Sequence, residues 1–325
     1  MADLSTDFAG LKLRNPLIVS SSGLTDSVEK IQKLEKAGAG AVVLKSLFEE
    51  QILFEAGHLS ESSDYPEAED YIQNYTRANS VDKYLDLIEQ ASSVVSIPVI
   101  ASINCVSSSE WTDFASKIEE AGASALELNV YFLPASKDAS SQVYEKLYLD
   151  IAEKVKRQIN IPVIIKLGMH FTHLVSLVDL LYHRGVDGVV LFNRFYSPDI
   201  NIRDMKMTSS EVYSSPADLR FSLRWVAIVS AMVDTVHIAG STGVHDGQAM
   251  VKQILAGAQA VQVCSAIYKH GQEIIGTMLD DLNTWMDQND FSGLDAFRGN
   301  MNYKNLPEPQ VYERSQFMKY FSGHH

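Results

Sequence analysis

Two lysines stand where a lysine is costly. Lys45 closes the run Ala41-Val-Val-Leu-Lys45 and Lys166 closes Pro162-Val-Ile-Ile-Lys166, so each cation directly follows four apolar residues. A buried ammonium needs a compensating partner, and a bound anion or an electron-rich ring would supply one. Asn129 and Asn193 also end apolar runs, as do Ser20, Ser21, Ser22, Ser46, Ser102 with Asn104, and Ser265. Taken singly, such a serine or asparagine is a strand end reaching water. Two lysines and two asparagines at separate strand ends are hard to explain as stability features, and they point to one shared mouth.

The stretch Ala239-Gly-Ser-Thr-Gly-Val-His-Asp-Gly-Gln-Ala-Met contains Gly240, Thr242 and Gly243. It reads as strand end, glycine-containing turn and helix start, the arrangement that offers backbone N–H groups to a phosphate. The next run, Val261-Gln-Val-Cys264-Ser265, offers a second turn opposite the first. Gly243 is expected to let the backbone approach the phosphate, and the helix beginning near Asp246 to aim its amides there.

The elements that must position these residues repeat along the chain. Short apolar runs at 16–20, 41–45, 98–103, 125–129, 162–166, 188–192, 235–239 and 260–264 read as strands. Their near-continuous apolar content suits a parallel sheet covered on both faces. Amphipathic patterns at 26–37, 80–94, 108–121, 143–158, 172–184, 217–231, 246–256 and 268–287 read as helices. Ser80 and Ser108 supply start signals. Gly38, Gly122, Gly185 and Gly257 follow helix ends, where a left-handed cap turns the chain into the next strand. Eight such units predict an α/β fold, a (β/α)8 TIM barrel, in one domain covering 1–325. The barrel proper spans about 4–290; a hairpin at 4–13 with Ala9-Gly10 at its turn plugs the N-terminal end, and 291–322 forms a helical tail. The connections 46–79, 130–142 and 193–216 follow strand C-termini, the face where barrel sites are built.

Composition narrows the function. With 325 residues and 46% hydrophobic content, the chain can bury a large core unaided. A formal net charge of −14 argues against nucleic-acid binding, which needs clustered cations. The acidity reads first as a means of solubility. Only two cysteines, Cys105 and Cys264, are present, so neither a disulfide framework nor an iron–sulfur cluster is expected, and a reducing, cytoplasmic home is. Any electron path to such a cluster would require a redox partner protein. No apolar run approaches the roughly 20 residues of a membrane span, and His58, His170, His173 and His245 lack metal-ligand spacing.

At these residues the sequence resembles the dihydroorotate dehydrogenase family of FMN-containing barrels, and also the flavin domain of dihydropyrimidine dehydrogenases. The likeness covers about residues 4–290. Asn15-Pro16 leading to Ser21-Ser22-Gly23 resembles the family's opening motif, and Lys45-Ser46 its Lys-Ser/Thr pair beside flavin and substrate. Ile100-Ala-Ser-Ile-Asn-Cys105 and Leu126-Glu-Leu-Asn129 resemble its third and fourth strand ends, and Gly240 to Ala258 follows its phosphate signature. The resemblance implies FMN held by Ser21, Ser22, Lys45, Ser46, Asn129, Lys166, Gly240, Thr242, Gly243 and Ser265. Lys166 would stabilise charge on reduced flavin, Lys45 would orient substrate, and Asn129, Asn193 and Arg194 would contact it. A homodimer is also implied.

The departures concern the reacting side. After the fourth strand the family carries a Cys or Ser base, where this chain reads Asn129-Val-Tyr-Phe-Leu-Pro134. Phe132 takes the base's place, and a phenyl ring accepts no proton. Pro134 replaces a substrate asparagine, and Arg194 stands where Ser or Thr usually follows Asn193. The loop 55–75 shows no orotate motif, and Thr242, Cys264 and Ser215 replace glycines of the phosphate turns. A threonine or serine hydroxyl can still donate there. Tyr131 is the candidate substitute acid, set against simple packing beside Phe132; a phenol is a poor base but a usable proton donor. The leading reading is an FMN-dependent oxidoreductase passing hydride between flavin and a small planar carbonyl or pyrimidine-like substrate. The alternatives are a non-catalytic flavin-binding regulatory or electron-transfer subunit, and a flavin-free phosphate-sugar barrel.

Overall fold

The computed structural model describes residues 2–55, 81–107, 112, 114–194 and 197–313. In chain order the strands and helices are β1 (Thr6–Phe8), β2 (Leu11–Leu13), β3 (Leu17–Val19), α1 (Val28–Lys36), β4 (Ala41–Val43), β5 (Leu47–Phe48), α2 (Glu49–Glu55), α3 (Val81–Val94), β6 (Val99–Cys105), α4 (Phe114–Glu120), β7 (Ala125–Val130) and α5 (Ser141–Gln158). There follow β8 (Val163–Leu167), α6 (Leu174–Tyr182), β9 (Gly188–Leu191), β10 (Pro198–Asn201), β11 (Lys206–Ser209), α7 (Leu219–Met232), β12 (His237–Ser241), α8 (Gly247–Ala256), β13 (Ala260–Val263), α9 (Ser265–His270), α10 (Ile274–Gln288) and α11 (Gln310–Glu313).

The eight strands β3, β4, β6, β7, β8, β9, β12 and β13 pair in parallel, and β13 returns to β3 to close the barrel. Each lies within two residues of its predicted limits. The four glycines expected to cap helices, at 38, 122, 185 and 257, all have positive φ, which L side chains adopt only at a cost.

Side chains alternate across each barrel strand. Outward residues such as Leu126, Leu128, Val163 and Ile165 pack under the helices. Inward residues Ile18, Ala41, Val43, Ile100, Ala125, Ile164, Val190, Ala239 and Ala260 form a separate inner layer with Phe8, Ala9 and Leu13. The hairpin β1–β2 therefore plugs the N-terminal end, with Ala9 and Gly10 in the left-handed region at its turn. The Ala9 amide donates to His237 Nδ1 at 2.8 Å, tying the plug to β12.

Three expectations change. The helix foreseen at 268–287 is two, α9 and α10, because Gly271 at φ +81 breaks it. The connection 193–216 carries an antiparallel hairpin, β10–β11. The described part of the tail is mostly turns rather than helix, with a 3-10 turn at Leu294–Ala296 and the short α11. It is fastened to the barrel by amides of Gly299, Met301 and Tyr303 donating to carbonyls of Ile254, Leu255 and Ala227. Ser80, Ser108, His58, Trp111, most of 46–79 and the end of the tail lie outside the described residues. No helix among the described residues is long and apolar enough to cross a membrane.

Candidate functional site

The inward pleat decides what the barrel mouth contains. Two residues beyond the apolar inner layer, Ile18 is followed by Ser20, Ile100 by Ser102, Ala125 by Glu127, Ile164 by Lys166, Ala239 by Ser241 and Ala260 by Gln262. All six of these polar residues are buried. Period-two alternation puts them in one layer directly above the apolar one.

Lys166 is the centre of this layer. Its ammonium donates to Ser20 Oγ at 2.9 Å and Gln262 Oε1 at 2.8 Å. Glu127 Oε1 lies 3.7 Å away, and Gln262 Nε2 donates to the other Glu127 oxygen. The lysine's anionic partner, expected to be a ligand, is thus supplied by the protein itself. Glu127 and Gln262 were missed in the sequence because each lies inside a strand between apolar neighbours. Counting back two residues from Asn129 along the same pleat would have found Glu127.

Above Lys166 opens a cavity of roughly 280 Å³ bounded by Ser21, Asn193, Arg194, Ser214, Thr242, Gly243, Val244 and Ser265, with Tyr213 and Tyr268 at its side. The two tyrosine rings are 5.3 Å apart. The Gly243 and Val244 amides donate to no acceptor among the described residues, and the α9 start contributes the opposite wall. Ser265 Oγ accepts from the Ser214 amide, and Lys269 holds the Ser214 carbonyl at 2.8 Å, so the segment before α7 folds down over this wall. His245 joins it through Ser214 Oγ at 2.9 Å; burial and then Lys269 hold its imidazole below the ordinary pKa.

Several expected donors do something else. At the N-terminus of α8 the Asp246 carboxylate already accepts from the Ala249 amide at 2.7 Å, taking up one of the amides expected to face an anion. A Cβ on Gly247 would lie 2.2 Å from Asp281. Gly243 makes its close approach to protein, since a Cβ there would sit 2.1 Å from the Leu219 nitrogen. A Cβ on Gly240 would strike Gln253 at 2.6 Å, so that glycine serves helix packing. Thr242 Oγ1 is committed to the Phe192 carbonyl at 3.0 Å, and the Ser215 amide and hydroxyl to Asp218. Arg194 is held by Asp218 at 3.0 Å and by the Glu211 carbonyl at 2.7 Å, so it lines the cavity with a fixed guanidinium.

A hydroxyl chain crosses the neighbouring strand ends. Ser21 Oγ and Ser46 Oγ are 3.0 Å apart, and Ser46 Oγ and Ser102 Oγ are 2.8 Å apart. Tyr84 pins this end of β6 by donating to the Ser102 carbonyl and accepting from its amide. Lys45 is half-buried beside Ser46. Ser22 is tied into its own turn through the Ser20 carbonyl and the Leu24 amide. Asn129 Oδ1 is buried without a hydrogen-bond partner, an acceptor awaiting a donor.

The loop after β7 builds an aromatic wall. Phe132 stacks on Tyr144 at 5.2 Å and meets Tyr148 at 5.4 Å, and Phe171 closes on Tyr148 at 5.1 Å. These rings, with Pro134 and His170, line a second cavity of roughly 180 Å³. Tyr131 is half-buried, its amide bonded to the Cys105 carbonyl. Cys105 is wholly buried, and burial pushes its thiol pKa well up. No group of metal ligands occurs among the described residues.

The family model for dihydroorotate dehydrogenase matches residues 3–286. The chain belongs to the dihydroorotate dehydrogenase family. A relative from Thermoplasma volcanium, named dihydroorotate dehydrogenase B (NAD(+)), catalytic subunit, is 29% identical over 92% of this chain and 98% of its own. Relatives of the same name from Methanocella arvoryzae and Methanocaldococcus jannaschii are 30% and 25% identical, covering 84% and 88% of this chain and 89% and 94% of theirs. The chain is therefore an oxidoreductase of a family acting on CH–CH bonds. In the loop from Asn129 to Pro134, Phe132 packs on α5.

Proposed function

We propose that the chain is an FMN-dependent oxidoreductase that exchanges hydride between flavin and a small planar carbonyl or pyrimidine-like substrate. The observation that carries this reading is the buried, internally compensated Lys166 facing a polar cavity whose far wall presents the unpaired Gly243 and Val244 amides. The cavity fits the group in that its amides and Ser265 suit a phosphate; Asn129, beside Lys166 in the sheet but not on the cavity wall, keeps an unpartnered Oδ1 suited to an N–H donor. FMN, when bound, supplies the hydride chemistry. Ser21, Ser22, Lys45, Ser46, Asn129, Lys166, Gly240, Thr242, Gly243 and Ser265 were the residues expected to hold it. Of these, Ser21, Lys166, Thr242, Gly243 and Ser265 border the cavity, while Gly240 and Ser22 act through the scaffold.

On the substrate side Asn193 presents its amide, Arg194 a fixed positive edge, and Lys45 orients the ligand. Orotate is not assigned, because Phe132 and Pro134 replace the base and the substrate asparagine. Tyr131 is the candidate proton donor. The test is direct: the purified protein absorbs in the flavin bands or rebinds FMN stoichiometrically, and a colourless protein that cannot be loaded sinks the reading. A second reading, a flavin-binding electron-transfer or regulatory subunit, is favoured by Phe132 packing into the aromatic wall. Holoprotein that no metabolite in a small-molecule screen reduces or reoxidises supports that second reading.

The assembly reading is a homodimer, with a redox partner suggested by relatives named as catalytic subunits. Hairpin β10–β11 stands off the catalytic face with Ile202 and Met205 85% and 86% exposed, beside Ile200 and Met207. Such a patch marks an interaction surface. Light scattering should give a dimer that Ile202→Asp with Met205→Asp converts to monomer; a monomeric wild type at micromolar concentration sinks this. The two cysteines form no disulfide, which fits the cytoplasm.

A further inference from the structure

We infer that Glu127 is a positioning residue that offsets the charge of Lys166 and thereby sets how strongly the site favours reduced flavin. The inference rests on the FMN reading above and deepens it. Glu127 is fully buried and Lys166 is 6% exposed, so solvent does little to weaken their interaction. Nothing about strand packing asks for a carboxylate at this position. The layer directly below it, with Ala125, Ile100 and Ile164, is apolar, and its register partner on β6 is the neutral Ser102.

The geometry of Gln262 shows how the pair is used. Its side-chain oxygen accepts from Lys166 at 2.8 Å and from Ser20 at 3.0 Å, while its nitrogen donates to Glu127. An amide carries acceptor and donor at opposite corners, so it matches an ammonium on one side and a carboxylate on the other. Reversing it would set N–H groups against a cation and oxygen against an anion. The remaining Glu127 oxygen is 3.7 Å from the ammonium and makes no hydrogen bond. Glu127 therefore attracts Lys166 without capturing its third proton. Ser20 and Gln262 hold two, and Lys166 borders the cavity with the third.

An uncompensated lysine at that place would favour negative charge on the ring as strongly as its position allows, and reduced cofactor would surrender its electrons reluctantly. Glu127 weakens that field. It acts through Lys166, from inside the barrel, and touches neither substrate nor cofactor.

The test is the midpoint potential of FMN on the Glu127→Gln protein at pH 6, measured by reductive titration against a reference dye. The equilibrium for two-electron reduction is expected to move at least tenfold toward reduced flavin, which is about 30 mV. A merely structural role would leave the potential where it is in folded, FMN-loaded variant, and an unchanged value overturns the inference. If Glu127→Gln does not fold, Glu127→Gln with Lys166→Met removes both charges. Recovery of the fold by that pair supports charge compensation, and continued unfolding overturns it. Wild-type protein that binds no FMN would instead defeat the functional reading. The flavin-tuning inference would fall with it, and the charge compensation alone would be decided on apoprotein, by whether Glu127→Gln lowers the melting temperature and the double variant restores it.

Discussion

Gly243→Val is expected to destabilise the apoprotein by about 4 kcal/mol or more, combining backbone strain with overpacking, and to lower its melting temperature by roughly 10 °C. Gly243 has φ +82, a region in which a β-branched residue is badly strained. Its Cβ would also lie 2.1 Å from the Leu219 nitrogen and 2.7 Å from the Asp218 carbonyl carbon. Both are backbone atoms at the entrance of α7, and a helix start does not yield as a flexible side chain would. Asp218 is in turn the anchor of Arg194 and Ser215, so displacement would spread along the cavity wall. FMN retention should fall with it. Differential scanning fluorimetry of cofactor-free protein is the check: an apoprotein that melts with wild type would return Gly243 to a purely phosphate-facing role.

That revision shows what was legible in the sequence. The turn around Thr242 and Gly243 was found from glycine placement, and it does border the cavity. The reason for the glycine was not visible, because Leu219 is distant in sequence and only closure of the barrel brings the start of α7 against the turn. Asp246 was read as the place where helix amides open toward an anion. An aspartate at that position is also a preferred N-cap, and the structure shows its carboxylate already satisfying the Ala249 amide. Local sequence carries both meanings.

The barrel was legible because its signal repeats: an apolar strand, a left-handed glycine after each of several helices, and polar residues at strand ends. The interior was less so. Asn129 and Lys166 were found because they end apolar runs, whereas Glu127 and Gln262 lie within theirs, and only the inward pleat ties them to the same layer. Phe132 was read as a departure from the family's loop, whereas its stacking on Tyr144 and Tyr148 depends on α5 packing beside the loop and could not be read there. The hairpin β10–β11 was missed for a different reason: its strands, exposed on every residue, have no buried face to impose an alternating pattern.

Lys166→Met is expected to lower apoprotein stability by roughly 3–5 kcal/mol, the cost of breaking a buried ion pair by removing one partner. Methionine replaces most of the lysine stem in volume, so little of the loss would come from packing. What is lost is the counter-charge. Glu127 would remain fully buried, its Oε1 without a hydrogen bond and its other oxygen served by Gln262 alone. Gln262 Oε1 and Ser20 Oγ would each lose the ammonium they now share. Ser20→Ala, which removes one neutral partner of the ammonium and leaves the ion pair in place, should cost less, about 1.5–3 kcal/mol, the range for a hydrogen bond to a charged group. Urea unfolding of the two apoproteins separates these cases without any cofactor. A Lys166→Met loss no larger than that of Ser20→Ala would mean that Lys166 and Glu127 are not coupled, and the lysine's charge would again need its partner from the ligand.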